Sequence, residues 1–364
     1  MFKVKTAIAC FFSVYPINYG SSVVCSSFFN NWNGEKKLFQ ISNKDTSIKK
    51  IKNTFIIFNN KYFKILSVIL QIISINNYLK KGNPKKILII EGASWVGYSF
   101  LTFITLKLLI KDIFVIYRGH SVEYEIRKKN NFYLVAIISR YFENYIYKNA
   151  NISTSVSNIE QKKIKKLYNV KTNIFPNIIK VENFNYKKNR FSNYVFYCGS
   201  YEYRPNKIII DRLIKKIMPA VRKRNRNIEL VLTGSEKSKF NESWVHNLKL
   251  VSKKNFISLL NKSLCIAIPS KEGYGTRVKI IESLCYGAII LTSPIGIEGI
   301  QFKGNISSPI ICKTDNDFVK KILYLYKNHL IVKKKIKPFI NEYRQKYSDS
   351  IATKNFYKMV INKI

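Results

Sequence analysis

Short apolar runs alternate with stretches of helical periodicity along nearly the whole chain. In the first half, 6–14, 86–90, 113–117, 152–155 and 173–175 have the length and continuous hydrophobicity of buried strands. Between them lie helical patterns at 20–31, 62–79, 96–109, 132–148 and 159–167. The second half repeats the strand pattern at 194–198, 228–232, 264–268 and 288–291, with helices predicted to begin near Pro205, Arg277 and Phe318. Strand–helix alternation on this scale predicts an α/β protein with parallel sheets covered by helices on both faces.

The polar, turn-rich stretch 176–193 is the best place to divide it. The expected organisation is one domain over 1–178, a linker over 179–193 and a second domain over 194–337. The remainder, 338–364, reads as helix, free to pack back on the first domain. No internal repeat stands out. Ligands of open α/β sheets bind outside the carboxyl ends of the strands, so two halves facing each other would set their loops around a central cleft.

Composition narrows the field. A chain of 364 residues, 46% hydrophobic and 14% aromatic, can bury two cores and is no disordered tail, collagen-like fibre or disulfide scaffold. Its 63 basic against 21 acidic residues give a net charge of +42. That excess fits a lysine-rich coding bias first, and next attraction to polyanions or an anionic membrane. The six cysteines form no C-x-x-C pair and sit mostly in apolar runs, which predicts buried small hydrophobes in a reducing cytoplasm. The opening 1–15 imitates a signal peptide but has no small-x-small cleavage site and reads as a first strand. The apolar stretch 96–117 is broken by Lys107, Lys111 and Asp112, so it reads as helix then strand, not a membrane span.

The densest chemistry lies between Pro269 and Gly287. Gly273 and Gly275 supply a flexible turn after a strand, Thr276 can cap a helix starting at Arg277, and Gly287 suits the position past its end. Within that helix Glu282 falls among Val278, Ile281 and Cys285, where a carboxylate needs a partner. Lys279, three residues earlier, could supply it. Alternatively, Glu282 accepts hydrogen bonds from sugar hydroxyls while Arg277, Lys279 and the helix N-terminus hold phosphates.

The segment resembles the signature of glycosyltransferase family 4, in the branch reading G-x-G-T-R-x-K-x-x-E-A-x-x-x-G. Gly273, Gly275, Thr276, Arg277, Lys279, Glu282 and Gly287 match it, with Ser283 in place of alanine. Thr292, Gly296, Glu298 and Gly299 continue the match. So do Val195 to Ser200 with Arg204-Pro-Asn206, and Arg118-Gly-His-Ser-Val-Glu123 resembles R-x-H-N-x-E. Pro16 to Gly20 fits the glycine-containing loop after strand one. The resemblance implies a GT-B fold, two Rossmann-like domains with parallel sheets facing a central cleft.

It also implies that Glu282 binds the donor ribose and that His120 lies at the reacting sugar. Gly20, Gly275, Thr276, Arg277 and Lys279 then join the donor site. Two positions depart from the pattern. Tyr274 stands where the family's first glutamate would fall, with Glu272 displaced by two. Ser200 replaces an arginine, leaving Arg204, Lys207, Arg277 and Lys279 as candidates for the diphosphate.

The implied activity is a retaining transfer of a hexose from a UDP- or GDP-linked sugar to a saccharide acceptor in cell-surface polysaccharide or lipopolysaccharide assembly. Neither a cofactor nor a metal is expected: Asp315-Asn-Asp317 imitates a D-x-D motif but precedes a helix it can cap. His246 and His329 have no constellation and read as surface residues. The acceptor is expected to be a saccharide, with a lipid-linked one at the inner membrane face among the options. The basic, apolar stretch 61–81 is a candidate contact helix, with core packing as its other reading. A cytoplasmic or peripheral location and no nucleic-acid partner complete the expectation. The competing classes are a GT-B epimerase or hydrolase of nucleotide sugars, and a non-catalytic basic adaptor for polyanions or anionic membrane.

Overall fold

The computed structural model describes residues 4–17, 20–42, 52–59, 63–82, 84–182, 192–234, 240–271, 277–300 and 310–364. The chain divides into two compact units, Met1–Lys180 with Asp349–Ile364, and Val181–Ser348.

The first unit is built on a seven-stranded, all-parallel sheet of order β3-β2-β1-β4-β5-β6-β7. Its strands are β1 (Val4–Cys10), β2 (Glu35–Ser42), β3 (Thr54–Phe58), β4 (Lys85–Gly92), β5 (Phe114–Gly119), β6 (Ile152–Ser155) and β7 (Asn173–Ile174). The helices are α1 (Gly20–Asn31), α2 (Lys64–Lys80), α3 (Val96–Leu109), α4 (Glu123–Lys129), α5 (Tyr133–Asn149) and α6 (Asn158–Tyr168). Strand order runs one way from β1 to β2 and the other way from β4 onward. Right-handed crossovers therefore put α1 on one face and α2, α3, α5 and α6 on the other. The core agrees: Val68, Ile75, Phe103, Ile146 and Ile164 share one apolar cluster with Ala7, Ala9, Leu88 and Val115 of the sheet. On the opposite face Phe28 and Trp32 pack against Phe356.

The second unit has a six-stranded parallel sheet of order β10-β9-β8-β11-β12-β13. These are β8 (Tyr194–Cys198), β9 (Glu229–Thr233), β10 (Val245–Asn247), β11 (Cys265–Ile268), β12 (Ile290–Thr292) and β13 (Ile310–Ile311). Around it lie α7 (Arg204–Arg212), which runs through a π-turn into α8 (Met218–Arg224), then α9 (Lys253–Lys262), α10 (Val278–Cys285) and α11 (Asp315–Tyr347). The last helix, α12 (Asp349–Ile361), belongs to the first unit and packs on α1.

Several expectations shift. Helix α11 continues through Pro338, so the second unit extends to Ser348 and no element ends at 338. His329 is not a surface residue: it is buried in α11, and burial lowers its pKa to about 4. His246 is exposed beside Glu229. Asp317 is the acidic partner of a capping box with Thr314 at the start of α11, which accounts for the D-x-D imitation. All six cysteines are free, five of them buried. Stretch 96–117 is α3 followed by β5, and no helix among the described residues is long and apolar enough to cross a membrane.

Candidate functional site

In the first unit the functional side chains gather at the carboxyl ends of β4 and β5. Parallel register sets Glu91 beside Arg118 and Gly92 beside Gly119, so the two charged residues meet on neighbouring strands and His120 follows at once. The Glu91 carboxylate, wholly buried, accepts from Arg118 through Oε1 and lies 2.7 Å from His120 Nε2 through Oε2. The Arg118 guanidinium lies over Phe28, 3.7 Å from the ring centroid, with Phe175 at 4.6 Å.

Burial alone would raise the Glu91 carboxyl, but the Arg118 charge and the His120 contact outweigh it and hold the group ionised. Burial would likewise lower His120; contacts with Cys25 and Glu91 reverse this and push the imidazole up to about 9. Burial pushes the Cys25 thiol upward.

Cys25, Glu91 and His120 offer three metal-ligand atoms within 4.8 Å of one another. The set does not fit a cation. Both Glu91 oxygens are already engaged, and the Arg118 guanidinium on the same carboxylate would repel a second positive charge.

Loop 120–123 is fixed from behind. Glu143 of α5 accepts from the backbone N–H groups of Glu123 (2.7 Å) and Tyr124 (3.1 Å) and from the Tyr168 hydroxyl (2.6 Å). It thereby caps α4, whose own N-cap Val122 has no side-chain bond to offer. Burial pushes the Glu143 carboxyl up to about 7 against those hydrogen bonds. Gly20 is the exposed first residue of α1. The loop before it is anchored by Gln40, which accepts from the Val14 and Tyr15 amides and donates to the Tyr15 carbonyl.

In the second unit Lys279 is the centre. From α10 its ammonium donates to the Tyr197 hydroxyl (2.9 Å), the Cys198 carbonyl (2.8 Å) and Asn206 Oδ1 (3.0 Å). It ties the start of α10 to the end of β8 and the start of α7, and burial lowers it to about 8. Asn206 also donates to the Ser200 carbonyl, holding the turn after β8. At Gly199 a Cβ would come within 2.7 Å of the Asn206 side chain, so a larger residue there would push Asn206 off its hydrogen bonds.

Arg277 occupies the N-cap position of α10 without a side-chain capping bond, and burial lowers its pKa. One turn further, Glu282 is ion-paired with Lys253 of α9, not with Lys279. Arg204 and Lys207 lie exposed on the first turn of α7, with Lys207 2.7 Å from Asp211. Gly275 and Thr276, with Glu272, Gly273 and Tyr274, lie outside the described residues. At the other end of α10, Lys333 and Arg344 donate to the carbonyls of Gly287 and Cys285, so α11 satisfies that helix terminus.

Lys279, Asn206 and Tyr197 are thus brought together, Glu282 lies on the same helix as Lys279 with Arg277 at its N-cap position, and Arg204 and Lys207 stand apart on the surface. Sequence reasoning missed Glu91, Lys253 and the role of Asn206. Only Asn206 carried a signal, in Arg204-Pro-Asn206; the other two pair with site residues through register and helix packing.

Comparison with known proteins defines the class first: the fold is GT-B. HepE of Anabaena, solved with UDP, superposes with a TM-score of 0.69 at 10% identity, over 98% of this chain and all of that one. Sucrose-phosphate synthase of Thermosynechococcus elongatus gives 0.71 at 12% identity over 99% and 100%. A glycosyltransferase of Rickettsia africae gives 0.68 at 13% over 99% of each chain. No curated protein matches the sequence. Residues 192–328, most of the second unit, match the family described as Glycosyl transferases group 1. Fold and family together support a glycosyltransferase.

Proposed function

We propose that this protein moves a hexose from a nucleoside-diphosphate sugar, UDP- or GDP-linked, to a saccharide hydroxyl with retention at the anomeric carbon, in the building of a cell-surface polysaccharide or lipopolysaccharide. The observation that carries this reading is the α10 constellation: Arg277 at the N-cap position and Lys279 and Glu282 on one short helix at the carboxyl edge of a parallel sheet. A leaving nucleoside diphosphate gathers negative charge in the transition state, and half-buried cations beside helix N–H groups stabilise it where water screens less. Lys279 enters this role already partly desolvated. Glu282 is assigned to the ribose diol, for which it must exchange the Lys253 ammonium.

His120 is assigned to the reacting sugar, held in place by Glu91. A double displacement needs a carboxylate free to attack. Glu91 is a poor nucleophile because both oxygens accept from cationic side chains. Front-face attack guided by the leaving phosphate fits better, without a metal. The acceptor proposed is a saccharide, lipid-linked at the inner face of the membrane.

The test is nucleotide release from a panel of UDP- and GDP-sugars, with and without a lipid-linked acceptor. Acceptor-dependent release supports transfer. Equal release without acceptor means a hydrolase or epimerase, and no release with steeply salt-dependent polyanion binding means an adaptor.

A further inference from the structure

Helices α2, α3, α5 and α6 form one layer on one face of the first unit's sheet, and their outer surfaces differ sharply. The outer side of α6 is ordinary: Lys162, Lys165 and Lys166 face solvent. Its neighbour α5 exposes Leu134 (78%), Ile137 (65%), Ile138 and Tyr141. Helix α2 exposes Ile65, Ile69, Leu70 and Ile73, and α3 exposes Leu108 at 82%. The three are joined: Phe100 of α3 stacks on Phe142 of α5 at 4.1 Å, and Lys64 of α2 lies 5.1 Å from the Tyr98 ring of α3. Soluble surfaces rarely present apolar side chains over three adjacent helices.

The charges around this surface are mostly basic, with the exposed Asp112, just past α3, as an acidic exception. Within α2, α3 and α5 the single carboxylate is Glu143, wholly buried on the Tyr168 side, whereas Lys80, Lys107, Arg140 and Lys148 are exposed. At the edge, Lys128 and Lys129 close α4, and the Phe132 amide donates back to the Arg127 carbonyl. A basic cluster therefore sits directly beside Phe132, Tyr133 and Leu134. The α4 carboxylates Glu123 and Glu125 are paired with Arg127 and Lys163.

We infer that the α2–α3–α5 layer of the first unit is a docking surface for an anionic lipid bilayer, with the exposed side chains of α5 entering the headgroup boundary beside Lys128 and Lys129. Apolar area supplies the insertion and the excess of positive charge at the rim supplies the attraction. A second copy of the chain fits poorly, because joining two such faces would bring two positive rims together. The surface reaches beyond the 61–81 stretch, and its larger part lies on α5. The inference does not depend on the transferase reading, since binding is measured without donor or turnover.

The experiment is flotation of the full-length protein with phosphatidylcholine vesicles, with and without a third of phosphatidylglycerol. Binding is expected to require the anionic lipid. Leu134→Gln with Ile137→Gln should weaken it by roughly tenfold, and each neutralised cation at Lys128 and Lys129 by about fivefold. Leu250→Gln, at an exposed leucine of the second unit, should leave it unchanged. Thermal midpoints should hold in all variants, since every altered side chain is largely exposed. Failure of the wild type to float would overturn the proposal, as would undiminished binding by the α5 variant. So would a dimer in sedimentation velocity that the α5 variant dissociates.

Discussion

Glu91 and His120 are 29 residues apart in the chain, yet a 2.7 Å contact joins them because β4 and β5 end side by side. Arg118, one strand over from Glu91, closes the set, so one buried carboxylate answers two cationic side chains. Glu91→Gln keeps the volume and removes the charge. The expected result is a lower kcat with donor KM little changed, and a His120 imidazole that titrates at lower pH, read by NMR of ring nitrogens. Glu91→Ala should also destabilise the unit by about 3–5 kcal/mol, because it leaves Arg118 buried without its partner. An unchanged His120 titration in the glutamine variant would remove Glu91 from the site.

The sign of the pH dependence follows from the same cluster. The His120 pKa is raised from 6.5 to about 9, so the folded state holds its proton more tightly than the unfolded one. Its contribution to stability is full below the unfolded value and is lost as pH rises through the folded one. The half-buried Lys279 works the other way: lowered to about 8, it makes stability rise with pH above that value until its unfolded range near 10.5. Denaturant unfolding of His120→Gln against wild type from pH 6 to 9 should show the difference narrowing toward the alkaline end.

Lys279→Met should leave the Tyr197 hydroxyl, the Cys198 carbonyl and Asn206 Oδ1 without their shared donor. The expected loss is about 1–3 kcal/mol in stability, with donor turnover abolished. Arginine should not restore function, since a planar fork cannot replace a point charge reaching three acceptors. Calorimetry and nucleotide release measure the two effects separately.

Glu282→Ala should raise the donor KM or end turnover while shifting stability by no more than about 1 kcal/mol, because its ion pair with Lys253 is partly open to solvent. Lys253→Met should tighten donor binding if the ribose displaces that ammonium. Normal turnover by Glu282→Ala would mark the glutamate as structural.

Chelation should leave turnover unchanged. Asp317 is committed to the capping box at the start of α11, and Asp315 is paired with Arg212. Asp317→Ala should lower thermal stability slightly by removing half of the capping box, with activity per folded molecule retained.

Bounds of α1, α3, β6 and β8 follow directly from the hydrophobic pattern, since each buries a continuous run or a clean stripe. Strand β2 escaped it because Gln40 interrupts its apolar run, and that glutamine is buried to hold the loop after β1. Helix α4 escaped because it is seven residues long and buries none of its side chains. Pro338 misled: it marks an expected boundary, but α11 runs through it. His329 misled in the same way, having no local feature to announce its burial.

Periodicity and motif order determined the two parallel α/β units and placed Arg277 at the start of the short helix that carries Lys279 and Glu282, because these are properties of neighbours along the chain. Partnership was decided elsewhere. That Lys253 rather than Lys279 meets Glu282, that Glu91 answers both Arg118 and His120, and that α5 rather than α6 exposes its apolar side, all depend on which elements pack side by side. A buried charge is stabilised by whatever lies a few ångströms away in space, and sheet register and helix packing set that neighbour.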